Sequence, residues 1–194
     1  TKKGKGYEFC EENPEATHGI SVSASDNIQV EYSEVLGKTL CSLAENDDKI
    51  VAVTAAMTSS LGLGGFFEKY PQRSIDVGIC EEHATILCAS MAAQGLKPYY
   101  AVYSTFLQRS YDEIVIDICS QNLPVTLCVD RAGISGTDGE THQGVFDISF
   151  LSHIPNLTIA VPKDVKEFEK MIKFSAGFGH PLAIRYPREG KRIF

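Results

Sequence analysis

Six short stretches of this chain are apolar with no strict alternation: "KIVAVTAAM", "SIDVGI", "KPYYAVY", "PVTLCVD", "LTIAVP" and "PLAIRYP". A strand with one face in water alternates apolar and polar side chains. A strand that does not alternate expects cover on both faces. Helix-length segments separate most of these runs. "VEYSEVLGKTLCSLAEND" places Val30, Val35, Leu36, Leu40 and Leu43 at helical spacing, and "GGFFEKYPQ" reads as a short helix stopped before Pro71. "EEHATILCASMAAQGL" has acids in its first turn and a stop at Gly95, and "FLQRSYDEIVIDICSQN" and "DVKEFEKMIKFSAG" are further helices. About six strands alternating with five main helices predict an α/β domain: an open, mainly parallel sheet with helices on both faces.

Residues 1–28 are polar and lack a steady apolar period, so they are expected to be a linker or arm, with the domain over 29–194. The chain has 194 residues and a formal charge of −7, which argues against general nucleic-acid or membrane-surface binding. No apolar run reaches membrane-spanning length and no signal peptide is seen, so an intracellular protein is expected. The six cysteines fall mostly within apolar runs and show no CxxC spacing, which predicts reduced thiols and no metal site.

In open α/β sheets ligands bind where strands end at their carboxyl edges. The unusual polar residues fall there: Glu81 and His83 after one strand, Tyr103, Ser104, Phe106 and Arg109 after the next, Arg131, Asp138 and His142 after a third, and Arg188 after the last. Taken singly, each has a bland explanation. Glu81 and Glu82 suit the first turn of a helix, His83 suits a satisfied helix histidine, Phe106 suits core, and Arg109 suits a solvated face. The loop "DRAGISGTDGETHQG" resists that treatment, because long glycine-rich loops inside compact domains usually serve function. It is neither a Walker loop nor a dinucleotide fingerprint.

The runs "DVGICEEHA", "YSTFLQRSYDEIVIDICSQNLPV", "DRAGISGTDGETHQGVFDISFL" and "AIRYPREG" closely resemble the 1-deoxy-D-xylulose-5-phosphate synthases, thiamine diphosphate enzymes of the transketolase superfamily. The likeness covers almost the whole chain but only the middle of the family's length. The family's GDG…N pattern for Mg²⁺ and diphosphate is absent, so the chain is expected to be the pyrimidine-binding domain, inactive alone, with Mg²⁺ bound by a missing N-terminal domain. The resemblance implies that Glu81 hydrogen-bonds a ring nitrogen of the cofactor's aminopyrimidine, that Phe106 stacks on that ring and that Arg109 shapes its pocket. It implies that Tyr103, Arg131, Asp138 and Arg188 hold the phosphate end of the acceptor, glyceraldehyde 3-phosphate. It places His142 and His18 over the substrates for proton handling and contact with pyruvate. It also implies a homodimer, in a bacterial cytoplasm or a plastid.

Three positions depart from the family's usual pattern: Glu82 where it has Gln, Thr58 where it has Pro, and Thr17 where an aromatic precedes the linker histidine. Glu82 adds a charge beside Glu81 unless its one-residue offset turns it outward. Two other readings are carried forward: another transketolase-like or 2-oxoacid dehydrogenase β-subunit, and a non-catalytic doubly wound interaction domain.

Overall fold

The computed structural model describes residues 4–12, 14, 30–135 and 138–190. A short exposed helix, α1 (Glu8–Glu12), buries none of its residues. Eight strands follow: β1 (Val30–Glu31), β2 (Ile50–Thr54), β3 (Ser74–Asp76), β4 (Lys97–Tyr103), β5 (Thr126–Asp130), β6 (Thr158–Ala160), β7 (Leu182–Arg185) and β8 (Glu189–Gly190). Six of them form one sheet in the order β3-β2-β4-β5-β7-β6, with every neighbouring pair parallel. The other two, β1 and β8, form a small antiparallel pair.

The middle strands explain why the sequence lacks alternation. All five residues of β2 and of β5 are buried, as are five consecutive residues of β4. The helices that cover them are α2 (Tyr32–Ala44), α3 (Gly64–Lys69), α4 (Glu81–Ala93), α5 (Ser104–Leu107), α6 (Tyr111–Glu113), α7 (Asp147–Leu151) and α8 (Val165–Ser175). Helices α2, α3 and α8 pack together, and α4 packs with the 104–119 segment. The rings of Tyr32, Phe168 and Tyr186 interlock, with the Phe168–Tyr186 centroids 4.3 Å apart. Helix α8 starts cleanly because Asp164 accepts from the Glu167 amide (2.8 Å) while Glu167 reaches back to the Lys163 amide (2.7 Å).

The structure corrects the expected elements in two places. Val30 is in a strand, and α2 begins two residues later at Tyr32, because β1 pairs with β8. The single helix expected over 106–122 is a bent run instead: α5, a 3-10 turn at Gln108–Ser110, α6, and a π-helical stretch at Ile114–Cys119. Its apolar residues are dense enough to satisfy more than one helical period, so sequence spacing does not separate these forms. Helix α7 lies past the glycine-rich loop, in a stretch to which the sequence reading assigns no element. Among the described residues no helix is long and apolar enough to cross a membrane.

Candidate functional site

The winding direction reverses between β2 and β4, which opens a crevice at the carboxyl edge of the sheet. Each strand delivers one part of the site to it. Asp76 ends β3, and its carboxylate accepts from the amides of Ala56 (2.7 Å) and Gly78 (2.9 Å) and from the Thr58 hydroxyl (2.7 Å). It therefore fastens the loop after β2 to the turn that leads into α4. Ala56 has a left-handed φ of 59°, a conformation that a non-glycine residue holds only against a cost. Thr58, one of the three departures, supplies one of the clamping bonds.

That turn sets Glu81 in the first turn of α4, where its side chain is only 2% exposed. A buried carboxylate needs compensation. The Arg109 guanidinium provides it, donating Nη1 to Glu81 Oε1 at 2.6 Å. Arg109 was read as a solvated helix charge when taken singly, yet it spans 28 residues to make this pair. Glu82 is half-buried, short of the fully outward placement considered for it, and His83 is exposed. All six cysteines are free thiols; Cys88, Cys119 and Cys128 are buried, whereas Cys80 is exposed directly before Glu81.

From Arg109 a ladder of flat groups crosses the site. The Arg109 guanidinium lies 4.9 Å from the centre of the Phe106 ring. Phe106 and Tyr103 stack with centroids 5.6 Å apart and planes 17° from parallel. The Arg131 guanidinium sits 4.2 Å from the centre of the Tyr103 ring. His142 meets both rings edge-on, at 5.4 Å from Phe106 and 6.1 Å from Tyr103, and its Nδ1 is 2.9 Å from the Thr141 hydroxyl. Such stacks hold aromatic planes in register and leave polar edges available.

Beyond the ladder lies a charge cluster. Asp138 bridges two cations, with Arg188 Nη1 at 2.5 Å and Arg131 Nε at 3.4 Å, and it accepts from the Ser135 hydroxyl at 3.1 Å. Asp130 is fully buried and pairs with Arg131 Nη1 at 2.8 Å. Burial pushes the Asp130 carboxyl up to about 7 despite the adjacent Arg131, and burial also raises the Tyr103 phenol. The glycine-rich loop is closed at its base by two backbone bonds, Gly133 amide to Gly144 carbonyl (2.7 Å) and Gly144 amide to Gly133 carbonyl (2.8 Å). Gln143 braces it from within, accepting from the Ser135 amide (2.6 Å) and donating to the Gly139 carbonyl (2.7 Å). Its exit is fixed by the buried Asp147, which takes Arg185 in a two-point pair (2.9 and 3.1 Å).

The structure thus brings Glu81, Tyr103, Phe106, Arg109, Arg131, Asp138, His142 and Arg188 to one edge, and His18 lies outside the described residues. Sequence reading passed over Asp76, Asp130 and Asp147. The first two close apolar strands and looked like the ends of those runs, although an Asp directly before Arg was a signal for the second. Two sizeable hollows lie elsewhere: about 480 Å³ beside Gly6–Glu12, and about 300 Å³ at the amino edge of the sheet beside Lys97, Pro124 and Gly179. Among the described residues no group of three His, Cys, Asp or Glu side chains is placed to hold a metal ion.

Comparison with known proteins agrees with this geometry. Among curated proteins, the chain is 57% identical to a 1-deoxy-D-xylulose-5-phosphate synthase of Clostridium perfringens (strain SM101 / Type A), over 98% of this chain and 32% of the relative. It is 52% identical to the like-named protein of Oleidesulfovibrio alaskensis, over 97% of this chain and 31% of that one. It spans about a third of the length of these relatives. Among solved structures, a split-gene transketolase described as an inactive β4 tetramer superposes with a TM-score of 0.75 at 27% identity, over 85% of this chain and 54% of that one. A Pichia stipitis transketolase in complex with sedoheptulose-7-phosphate gives the same TM-score at 18% identity, over 90% of this chain and 28% of that one, which speaks for the fold alone. The family profile described as "Transketolase, pyrimidine binding domain" matches residues 28–192, and the chain belongs to that family.

Proposed function

We propose that this chain is the pyrimidine-binding part of a thiamine diphosphate-dependent 1-deoxy-D-xylulose-5-phosphate synthase, which joins pyruvate to glyceraldehyde 3-phosphate with loss of carbon dioxide. The observation that carries the proposal is the buried Glu81 carboxylate, held by Arg109 beside the partly exposed Phe106 ring. A buried carboxylate next to an aromatic plane fits an aminopyrimidine, which offers a ring nitrogen to one and a flat face to the other. When bound, the cofactor supplies the carbanion chemistry. This chain's residues bind and orient. Glu81 holds or accepts a proton at the ring nitrogen, Phe106 and Tyr103 fix the plane, and Arg109 keeps the Glu81 carboxylate in place.

Arg131, Arg188, Tyr103 and Asp138 form the subsite for the acceptor's phosphate in this reading. In the structure Asp138 is shared between the two arginines, so an arriving phosphate competes with that carboxylate for both guanidiniums. His142, which meets both rings edge-on, moves a proton to or from the substrate in this reading, and His18 shares that role from the arm. We assign residues 1–28 to the arm, residues 29–194 to the domain, and Mg²⁺ and diphosphate binding to the part of the relatives' length that this chain does not span. In our reading the site is completed by that other part and by a second copy in a homodimer. The relatives named above are bacterial and their names support the synthase over a dehydrogenase β-subunit, so we place the protein in a bacterial cytoplasm.

The test is Glu81→Gln in the full-length enzyme. Carbon dioxide release from pyruvate is followed with glyceraldehyde 3-phosphate, thiamine diphosphate and Mg²⁺ present. A folded variant should lose on the order of a hundredfold or more in kcat. Near-normal turnover would remove Glu81 from the mechanism, and no release by the unaltered enzyme would refute the synthase reading.

A further inference from the structure

The roles above have no use for Asp130. It is fully buried, at the last position of β5, directly opposite Tyr103 in the sheet register. Both of its carboxylate oxygens serve the next residue. Oδ1 accepts the Arg131 backbone amide at 2.6 Å, and Oδ2 accepts Arg131 Nη1 at 2.8 Å. Arg131 has a left-handed φ of 55°, which long side chains avoid. The amide of Ala132 then returns to the Tyr186 carbonyl at 3.0 Å, so the chain makes a sharp turn pinned on both sides of Arg131. The turn sets the Arg131 guanidinium, on a side chain only 7% exposed, over the Tyr103 ring and within reach of Asp138.

We infer that Asp130 is a positioning residue for the phosphate subsite: its two-point hold on Arg131 sets the turned backbone and the guanidinium plane that receives the acceptor's phosphate. The inference rests on the synthase reading, because it takes from that reading the ligand of Arg131. Other arrangements would leave Arg131 with a different fate. Without Oδ2 as an acceptor, a flexible guanidinium would be left with Asp138 and the more distant Ser60 carbonyl (3.4 Å) and would leave the Tyr103 face. Without Oδ1, the strained turn would lose the bond that holds it. Asp130 touches no reacting atom, so its removal should act through binding geometry and not through the chemical step.

The experiment uses the full-length enzyme with Asp130→Asn, which keeps one acceptor for the Arg131 amide and replaces Oδ2 by a donor. Steady-state kinetics are measured with glyceraldehyde 3-phosphate and with unphosphorylated glyceraldehyde as acceptor. We expect KM for the phosphorylated acceptor to rise on the order of tenfold to a hundredfold, with kcat within about threefold and kcat/KM for the unphosphorylated acceptor unchanged. In an Arg131→Ala background the same substitution should add nothing further to KM. Equal losses with both acceptors, a fall in kcat alone, or additive effects with Arg131→Ala would overturn the positioning role while leaving the synthase reading intact. An unaltered enzyme with no preference for the phosphorylated acceptor would instead overturn the reading, and the inference with it. Should Asp130→Asn fail to fold, Asp130→Ser keeps the amide acceptor in less volume; failure of both would show that the residue serves the fold alone.

Discussion

Gly144 closes the glycine-rich loop, and replacing it with alanine tests whether that closure is steric as well as hydrogen-bonded. An added Cβ would lie 2.2 Å from the Arg131 carbonyl oxygen and 2.7 Å from both Cβ and Oγ of Ser104. Real contacts of this kind sit at about 3.3 Å or more, so the backbone must part by about an ångström. Rotating Ser104 does not relieve the clash, because its Cβ and the Arg131 backbone both stay where they are. Overpacking of this sort costs about 1–3 kcal/mol. Parting the strands of the loop also weakens the two Gly133–Gly144 bonds, each worth about 1 kcal/mol net. The total is about 3–5 kcal/mol, concentrated where the loop meets β4 and β5. The loop is peripheral to the sheet, so it should lift locally before the core unfolds. Hydrogen exchange of the chain should show the Gly133 and Gly144 amides losing protection by a hundredfold or more, with amides of β2, β4 and β5 little changed. Gly139→Ala is the control: nothing lies within 4 Å of the added atom, so its cost is backbone strain alone at φ 77° and ψ 176°, about 1–3 kcal/mol, and it should leave the Gly133–Gly144 bonds in place. Unchanged exchange at Gly133 and Gly144 in the Gly144→Ala protein would refute the steric argument.

Asp76→Ala should free the amides of Ala56 and Gly78 and cost about 1–3 kcal/mol in urea unfolding, whereas Thr58→Val should cost less than about 1.5 kcal/mol, since one bond of three is lost. Asp130 should also leave a mark on stability against pH. Its folded carboxyl is raised by burial from 3.8 to about 7, so the folded state binds the proton more tightly than the unfolded chain does. The corresponding stability is fully present below about pH 4 and is lost as pH rises through 7, up to about 1.4 kcal/mol per pH unit. Urea unfolding from pH 4.5 to 7.5 should therefore show the wild-type protein losing ground relative to Asp130→Asn; a pH-independent difference would contradict the upward shift that burial imposes on this Arg131-paired carboxyl.

Much of the sheet was readable because burial on both faces removes alternation, and the six apolar runs each became a strand. Their ends were less readable. "SIDVGI" continues apolar beyond Asp76, but pairing stops there because β3 is an edge strand and the chain must turn toward α4. The bent helical run hid its change of period behind residues that are apolar on most sides. At the site, residue types and their order were visible, but partnerships were not. Nothing in the local sequence of Arg109 announces Glu81, and the adjacency of Asp130 and Arg131 signals a pair without showing that both carboxylate oxygens fold back on the next residue. Such pairings depend on where strands end relative to one another in the sheet, a property of register that spans tens of residues.

The antiparallel pairing of Val30–Glu31 with Glu189–Gly190 has a consequence for how this unit can sit in a longer polypeptide. The chain enters and leaves the domain through neighbouring positions, so the sheet and its crevice form a self-contained insert hung from one point. Closing residue 190 onto residue 30 and opening the chain at a remote exposed turn should leave the crevice intact. By the same geometry, segments that continue from either side would emerge together, so that a tug on one is felt first at this two-residue seam and only afterwards at the strands that carry Glu81 and Arg131.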